Sequence, residues 1–122
     1  MAKDNEKTLQ EIKDFVKRYC DERDWDQFHN AKDVAVALIL ESAELLEHFR
    51  YKSEEEVEDL FKDPKRREHI EDEMADILFP LFRLAQKYNV DLSEAFERKM
   101  QENSRKYPPD KAKGSNKKYN EL

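Results

Sequence analysis

Val34-Ala35-Val36-Ala37-Leu38-Ile39-Leu40-Glu41-Ser42-Ala43-Glu44-Leu45 is an apolar run that passes without a break into a spaced pair of acids. No Gly or Pro interrupts it, and its residues suit a helix from about Ala31 to Arg50. Residues 34 to 40 are apolar on nearly every side, so this helix is expected to lie at the centre of a bundle, buried among several neighbours. At 100° per residue, Glu41 and Glu44 share a face with Val34, Ala37 and Leu45. Carboxylates bordering an apolar face are costly unless paired or bound to a cation, and no Lys or Arg lies between positions 33 and 49.

A second acidic pair has the same character. Glu73 and Asp76 flank the stripe Ile70, Met74, Ile77 and Leu81 in a helix expected from about Pro64, at its first turn, to Asn89. Two further helices frame these. One runs from about Thr8 to Arg23 on the recurrence of Leu9, Ile12, Phe15, Val16 and Tyr19; the other runs from about Leu92 to Arg105 with Asp91 as N-cap. Ser53 and Glu56 have capping-box spacing for a short connector helix ending at Phe61, before Pro64. Trp25 to Asn30 is expected to be a loop, and Pro108-Pro109 to close the helical part. The expected architecture is therefore all-α: four main helices and a short connector in a single domain over residues 1–122. Residues 1–7 are expected to be flexible, and residues 108–122 to form an irregular tail, disordered or docked onto another surface.

Composition supports that class. The 122 residues include one Gly and four Pro, are 38% apolar and 43% charged, and show no sustained alternation of apolar and polar residues. A formal charge of −6 disfavours binding to a nucleic-acid polymer, although a local basic pocket for a phosphorylated small molecule remains compatible with it. Cys20, the only cysteine, falls in the apolar stripe of the first helix and is read as packing. The N-terminus has no apolar signal core, and the run from Val34 to Leu40 is too short to cross a bilayer. A cytoplasmic protein with no membrane partner is expected.

Acids three apart on a helix project side by side, so two antiparallel helices can bring Glu41, Glu44, Glu73 and Asp76 together around hard cations. An all-oxygen set points to Mg²⁺, with Mn²⁺ as the alternative, and such ions bridge phosphate oxygens and activate water. The catalytic candidates are Glu44 and Glu73. Glu44 is the choice for proton acceptor because it lies farther round from the centre of the apolar face than Glu41. A solvated acidic face is the plain alternative, and a helical scaffold protein the rival class. A di-iron bundle is disfavoured because neither pair is followed by a suitably spaced His; the one Asp-x-x-His spacing, Asp26 to His29, falls in the expected loop. Trp25, Phe28, His29 and Tyr51 cluster at helix ends and can form an aromatic slot for a base. Lys99, Asn103 and Lys106 share a face that suits phosphate oxygens, unless the lysines extend outward into water. Pro80, four residues after Asp76, removes the usual donor to the Asp76 carbonyl and is expected to kink the helix near the acids.

Glu41-x-x-Glu44, twenty-eight residues, then Glu73-x-x-Asp76 resembles the signature of the MazG-like all-α nucleoside triphosphate pyrophosphohydrolases. Arg23-Asp24-Trp25-Asp26-Gln27-Phe28-His29, Val90-Asp91-Leu92, Lys99-Met100-x-x-Asn103-x-x-Lys106-Tyr107-Pro108 and Lys118-Tyr119-x-Glu121-Leu122 look like its dCTP pyrophosphatase branch. The resemblance implies Mg²⁺-dependent cleavage of a deoxynucleoside triphosphate to the monophosphate and pyrophosphate, with dCTP or a modified dCTP as first substrate. It implies metal ligation by Glu41, Glu44, Glu73 and Asp76. It further implies a nucleotide pocket from Trp25, His29, Tyr51 and Asn103, with Lys99, Lys106, Lys118 and Tyr119 facing phosphates. Homo-oligomers are implied too, a tetramer built as a dimer of dimers before a dimer, with sites that draw on more than one subunit. Tyr51 and Pro80 stand where vertebrate-type members carry Trp and Tyr, which bears on the choice of base.

Overall fold

The computed structural model describes residues 1–122, all helix, turn and loop without a strand. Six α-helices form: α1 (Leu9–Glu22), α2 (Ala31–Glu47), α3 (Glu54–Leu60), α4 (Pro64–Lys87), α5 (Leu92–Lys106) and α6 (Pro109–Ala112). Short 3-10 turns occupy Asp26–Phe28 and Tyr119–Glu121. None of the helices is long and apolar enough to cross a membrane.

Local chemistry sets most of the boundaries. Thr8 and Glu11 close a reciprocal capping box on α1, as Ser53 and Glu56 do on α3, each satisfying two backbone donors that the helix leaves open. Asn30, Asp63 and Asp91 cap α2, α4 and α5 through their side chains, and Pro64 takes the first position of α4, where its missing N–H costs nothing. Beyond α1 and α4 the chain turns through the left-handed region at Asp24 and Asn89, with φ of 52° and 55°. Both are residue types that tolerate it.

Two compact units result, Met1–Asn89 and Val90–Leu122. In the first, α4 packs against both α1 and α2. Its core holds Val16 and Cys20 of α1, Val34 of α2, Leu60 of α3, and Ile70, Phe82 and Ala85 of α4. Cys20 is fully enclosed, and burial pushes its thiol above the usual range. In the second unit the ring of Tyr119 meets Tyr107 edge-on at 6.1 Å and lies 5.0 Å from the Lys106 ammonium.

Two expectations change. The apolar helix α2 is covered on one side only: Val34 is buried, whereas Val36, Ile39, Leu40 and Leu46 are exposed. Within one chain it is a flank, because α4 alone packs closely along it. The tail after Pro108 is not wholly irregular either. Pro109 starts the single helical turn of α6 and Tyr119 starts a 3-10 turn, since proline suits a first helical position as well as it ends a helix.

Candidate metal and nucleotide site

Facing positions of α2 and α4 bring Glu41, Glu44, Glu73 and Asp76 together, with one carboxylate oxygen from each lying within 4.8 Å of the others. Oε2 of Glu41 and Oε2 of Glu73 are buried and have no hydrogen-bond partner. Nε2 of His48 stands 3.5 Å from Oε1 of Glu73. Burial, and then the negative charge of Glu44 with smaller contributions from Asp76 and Glu73, holds the Glu41 carboxyl above its ordinary range. Four acids packed this closely, two with orphaned buried oxygens, are a repulsive arrangement that a hard divalent cation would relieve. The donor set therefore fits such an ion, and its oxygens disfavour iron–sulfur, zinc-thiolate or copper chemistry.

Beside the acids a cavity of about 610 Å³ opens between α1, α2 and α4. Glu41 and Asp76 form part of its wall, so the acidic cluster and the cavity are continuous. The remaining wall is largely aromatic: Phe15 and Tyr19 from α1, Trp25, Phe28 and His29 from the 3-10 turn and its flanks, and Phe79 from α4. The Tyr19 ring stands edge-on to both Trp25 and Phe79, at 5.7 and 5.6 Å. Pro80 lies within α4, which continues through it to Lys87, and its ring forms part of the same wall.

The turn that carries Trp25 and His29 is fastened to α4. Arg83, only 2% exposed, donates from Nη2 to Asp26 Oδ1 at 2.8 Å, from Nε to His29 Nδ1 at 2.9 Å and from Nη1 to Gln86 Oε1 at 2.6 Å. Lys87 donates to the carbonyls of Asp26 and His29 and pairs with the Asp26 carboxylate at 3.2 Å. Lys87, and after it Arg83, holds the Asp26 carboxyl below its usual range. His29 is depressed by burial first and then by the charges of Arg83 and Lys87, against the pull of Asp26.

Of the residues singled out in sequence, Glu41, Asp76, Trp25, Phe28 and His29 line this one space, and Glu44 and Glu73 join Glu41 and Asp76 in the cluster but face a separate cleft beside Glu47 and His48. Tyr51 does not line it: it is 89% exposed at φ 64°, with the Arg50 guanidinium 4.5 Å from its ring centre. An aromatic slot that includes Tyr51 is therefore not formed within one chain. Lys99, Asn103, Lys106, Lys118 and Tyr119 belong to the second unit. There Lys99 and Lys106 both pair with Glu102, each at 3.4 Å, so part of their charge is already matched.

Sequence reading passed over Arg83, His48, Phe79 and Tyr19 as site residues. The signal for Arg83 was present in the spacing 73, 76, 80, 83, 87, which sets both acids, the proline and two cations along one helix face.

The MazG-like family model matches residues 36–122. Bovine (Bos taurus) dCTP pyrophosphatase 1 is 38% identical over 118 residues, which covers 97% of this chain and 70% of that protein. The human (Homo sapiens) dCTP pyrophosphatase 1 is 38% identical over 117 residues, covering 96% and 69%. Among solved structures, a pyrophosphatase from Archaeoglobus fulgidus superposes with a TM-score of 0.76 at 36% identity, over 82% of this chain and 92% of that one. An all-α chain that presents paired acids from two packed helices beside an aromatic cavity is the class that these features define. The chain belongs to the MazG-like family.

Proposed function

We propose that this protein is a divalent-metal-dependent pyrophosphohydrolase that splits a deoxynucleoside triphosphate into the monophosphate and pyrophosphate, with dCTP or a 5-modified dCTP as its preferred substrate. The observation that carries this reading is the continuity of the acidic cluster with an aromatic cavity large enough to admit a nucleobase and its sugar. One end suits a metal-bound triphosphate and the other a base. The relatives named dCTP pyrophosphatase 1 support the choice of cytosine.

A divalent cation, Mg²⁺ in this reading, supplies charge neutralisation at phosphate oxygens and lowers the pKa of water. Glu41, Glu44, Glu73 and Asp76 are the residues that would hold it. Glu44, the more exposed of the α2 pair, is the residue assigned to accept the proton of the attacking water. Glu73, with His48 Nε2 3.5 Å from its Oε1, forms the opposite side of the cluster. Trp25 offers a face for stacking, and the aromatic wall gives the base an apolar surface to lie against. Lys99, Asn103, Lys106, Lys118 and Tyr119 are assigned to phosphate and sugar, as the resemblance implies. For Lys99 and Lys106 this requires exchange of Glu102 for phosphate oxygens.

The active form in this reading is a homo-oligomer, a tetramer before a dimer, to which Tyr51 contributes from a neighbouring copy. The exposed Val36, Ile39 and Leu40 of α2 support an apolar interface, and sedimentation equilibrium reads the size directly. The decisive assay is pyrophosphate release from each dNTP with Mg²⁺, alongside Glu73→Gln. Release by the wild type that is lost in the variant is the expected result. Absence of release from every dNTP and from 5-modified dCTP would remove the enzymatic reading and leave a helical scaffold.

A further inference from the structure

Arg83 is the one buried charged residue of the chain, and the only imidazole it touches is that of His29, a residue of the cavity wall. A guanidinium has five N–H donors, no acceptor, and no accessible neutral form. When its Nε–H points at His29 Nδ1 from 2.9 Å, that nitrogen has to be the acceptor. The imidazole is then neutral with its single proton on Nε2, at the opposite flank of the ring, where no group of the chain accepts from it. Two other bonds hold the guanidinium in register, to Asp26 Oδ1 and Gln86 Oε1, so the donor cannot swing away without leaving a buried charge short of partners.

We propose that Arg83 is a positioning residue for base recognition. It locks His29 as the Nε2–H tautomer, so that the cavity presents one fixed hydrogen-bond donor to an acceptor on the nucleobase edge, a carbonyl oxygen or an unprotonated ring nitrogen such as O2 or N3 of a cytosine. The inference rests on the nucleotide reading of the cavity and adds to it a mechanism for selecting a base edge. Without Arg83 the ring is free to hold its proton on either nitrogen or on both. The charges around it are Asp26 on its own turn, Asp33 and Glu41 of α2 on the cavity wall, and Asp76 and Lys87 of α4. Tyr19 of α1 adds a phenol to that wall.

Nitrogen-15 correlation spectra of the full-length protein test the lock without any turnover. The expected result is a pyridine-like Nδ1 and a pyrrole-like Nε2 for His29 from pH 6 to 8. A pyrrole-like Nδ1, or an imidazolium, overturns the proposal. Binding of a nonhydrolysable dCTP analogue with Mg²⁺ should shift His29 Nε2 together with the Trp25 indole. A shift at Trp25 with His29 Nε2 unmoved overturns the base contact while the pyrophosphohydrolase reading stands. Failure of both to respond to any dNTP analogue overturns both.

In kinetics, Arg83→Met should raise KM for the preferred dNTP about tenfold with a much smaller change in kcat, the loss of roughly one oriented hydrogen bond. It should also give KM a dependence on pH in the acid range that the wild type lacks, as the unlocked imidazole takes up a second proton. His29→Gln offers an amide N–H that needs no tautomer. The KM penalty of Arg83→Met should therefore shrink in the His29→Gln background, and an unchanged penalty there means that Arg83 does not act through His29.

Discussion

Replacing Glu41 by Gln removes one charge from the acidic cluster at nearly constant volume, and two opposite effects should follow. Without metal, the carboxylate sits within 4.8 Å of three others and has a buried oxygen with no partner. One like-charge contact at that separation is worth about 1 kcal/mol in bulk water and about 3.5 kcal/mol at an effective dielectric near 20. Glu44 and Asp76 are exposed, so screening favours the lower part of that range, and Glu41→Gln should stabilise the metal-free protein by about 1–2 kcal/mol. For a chain of this size that is a rise in melting temperature of roughly 4–8 °C. With metal the order reverses: a cation at a hundredfold its Kd stabilises the wild type by about 2.7 kcal/mol, and the variant should lose most of that response. The pH dependence has a definite sign. Glu41 is raised in the folded state, so in EDTA its contribution is intact below the ordinary value of 4.5 and is lost as pH climbs through the raised one. The advantage of the variant should thus vanish in acid and grow toward neutrality. Thermal melts in EDTA and in Mg²⁺ at several pH values supply all four numbers. A variant less stable than wild type in EDTA at pH 7, with an undiminished metal shift, would refute the account of the cluster as a strained cation site.

Trp25→Ala should raise KM for dCTP at least tenfold while leaving the metal-induced shift in melting temperature intact, since it lines the cavity and not the cluster; parallel melts and initial rates separate the two. Ile70→Ala, at a position 1% exposed on α4, should cost about 2–5 kcal/mol in urea unfolding. Ser53→Ala removes half of the α3 capping box and should cost about 1 kcal/mol by the same measurement. His29 is lowered in the folded state, so it contributes stability that is present above pH 6.5 and lost as pH falls below; His29→Gln should flatten that part of the stability curve.

Helix boundaries and caps were legible because they depend on neighbours in sequence. Thr8, Ser53 and Asp91 each announce a start that the structure reproduces at those residues. The meeting of the two acidic pairs was legible for a related reason, since helical periodicity puts each pair beside an apolar stripe. What escaped depends on distant residues. Arg83 looks like a solvated cation until Asp26 and His29, more than fifty residues away, are seen to surround it. The apolar circumference of α2 invites a central placement, yet how many neighbours a helix has is not written in its own residues. Tyr51 was grouped with Trp25 by position at helix ends, whereas it stands exposed on a left-handed turn outside the cavity wall.

Helix α4 carries the acids at 73 and 76, the cavity wall at 79 and 80, and the two cations at 83 and 87 that anchor the turn beneath His29. An α-helix rises 1.5 Å per residue, so the seven residues from Asp76 to Arg83 set the two ends of the site about 10 Å apart along one helical rod that runs on through Pro80. The rod is a gauge: the same backbone that positions the acids dictates where the turn carrying Trp25 and His29 must be. A substitution in this stretch leaves that spacing intact. A single-residue insertion between Asp76 and Arg83 would turn everything after it by about 100° and part the acids from the anchored turn at a stroke.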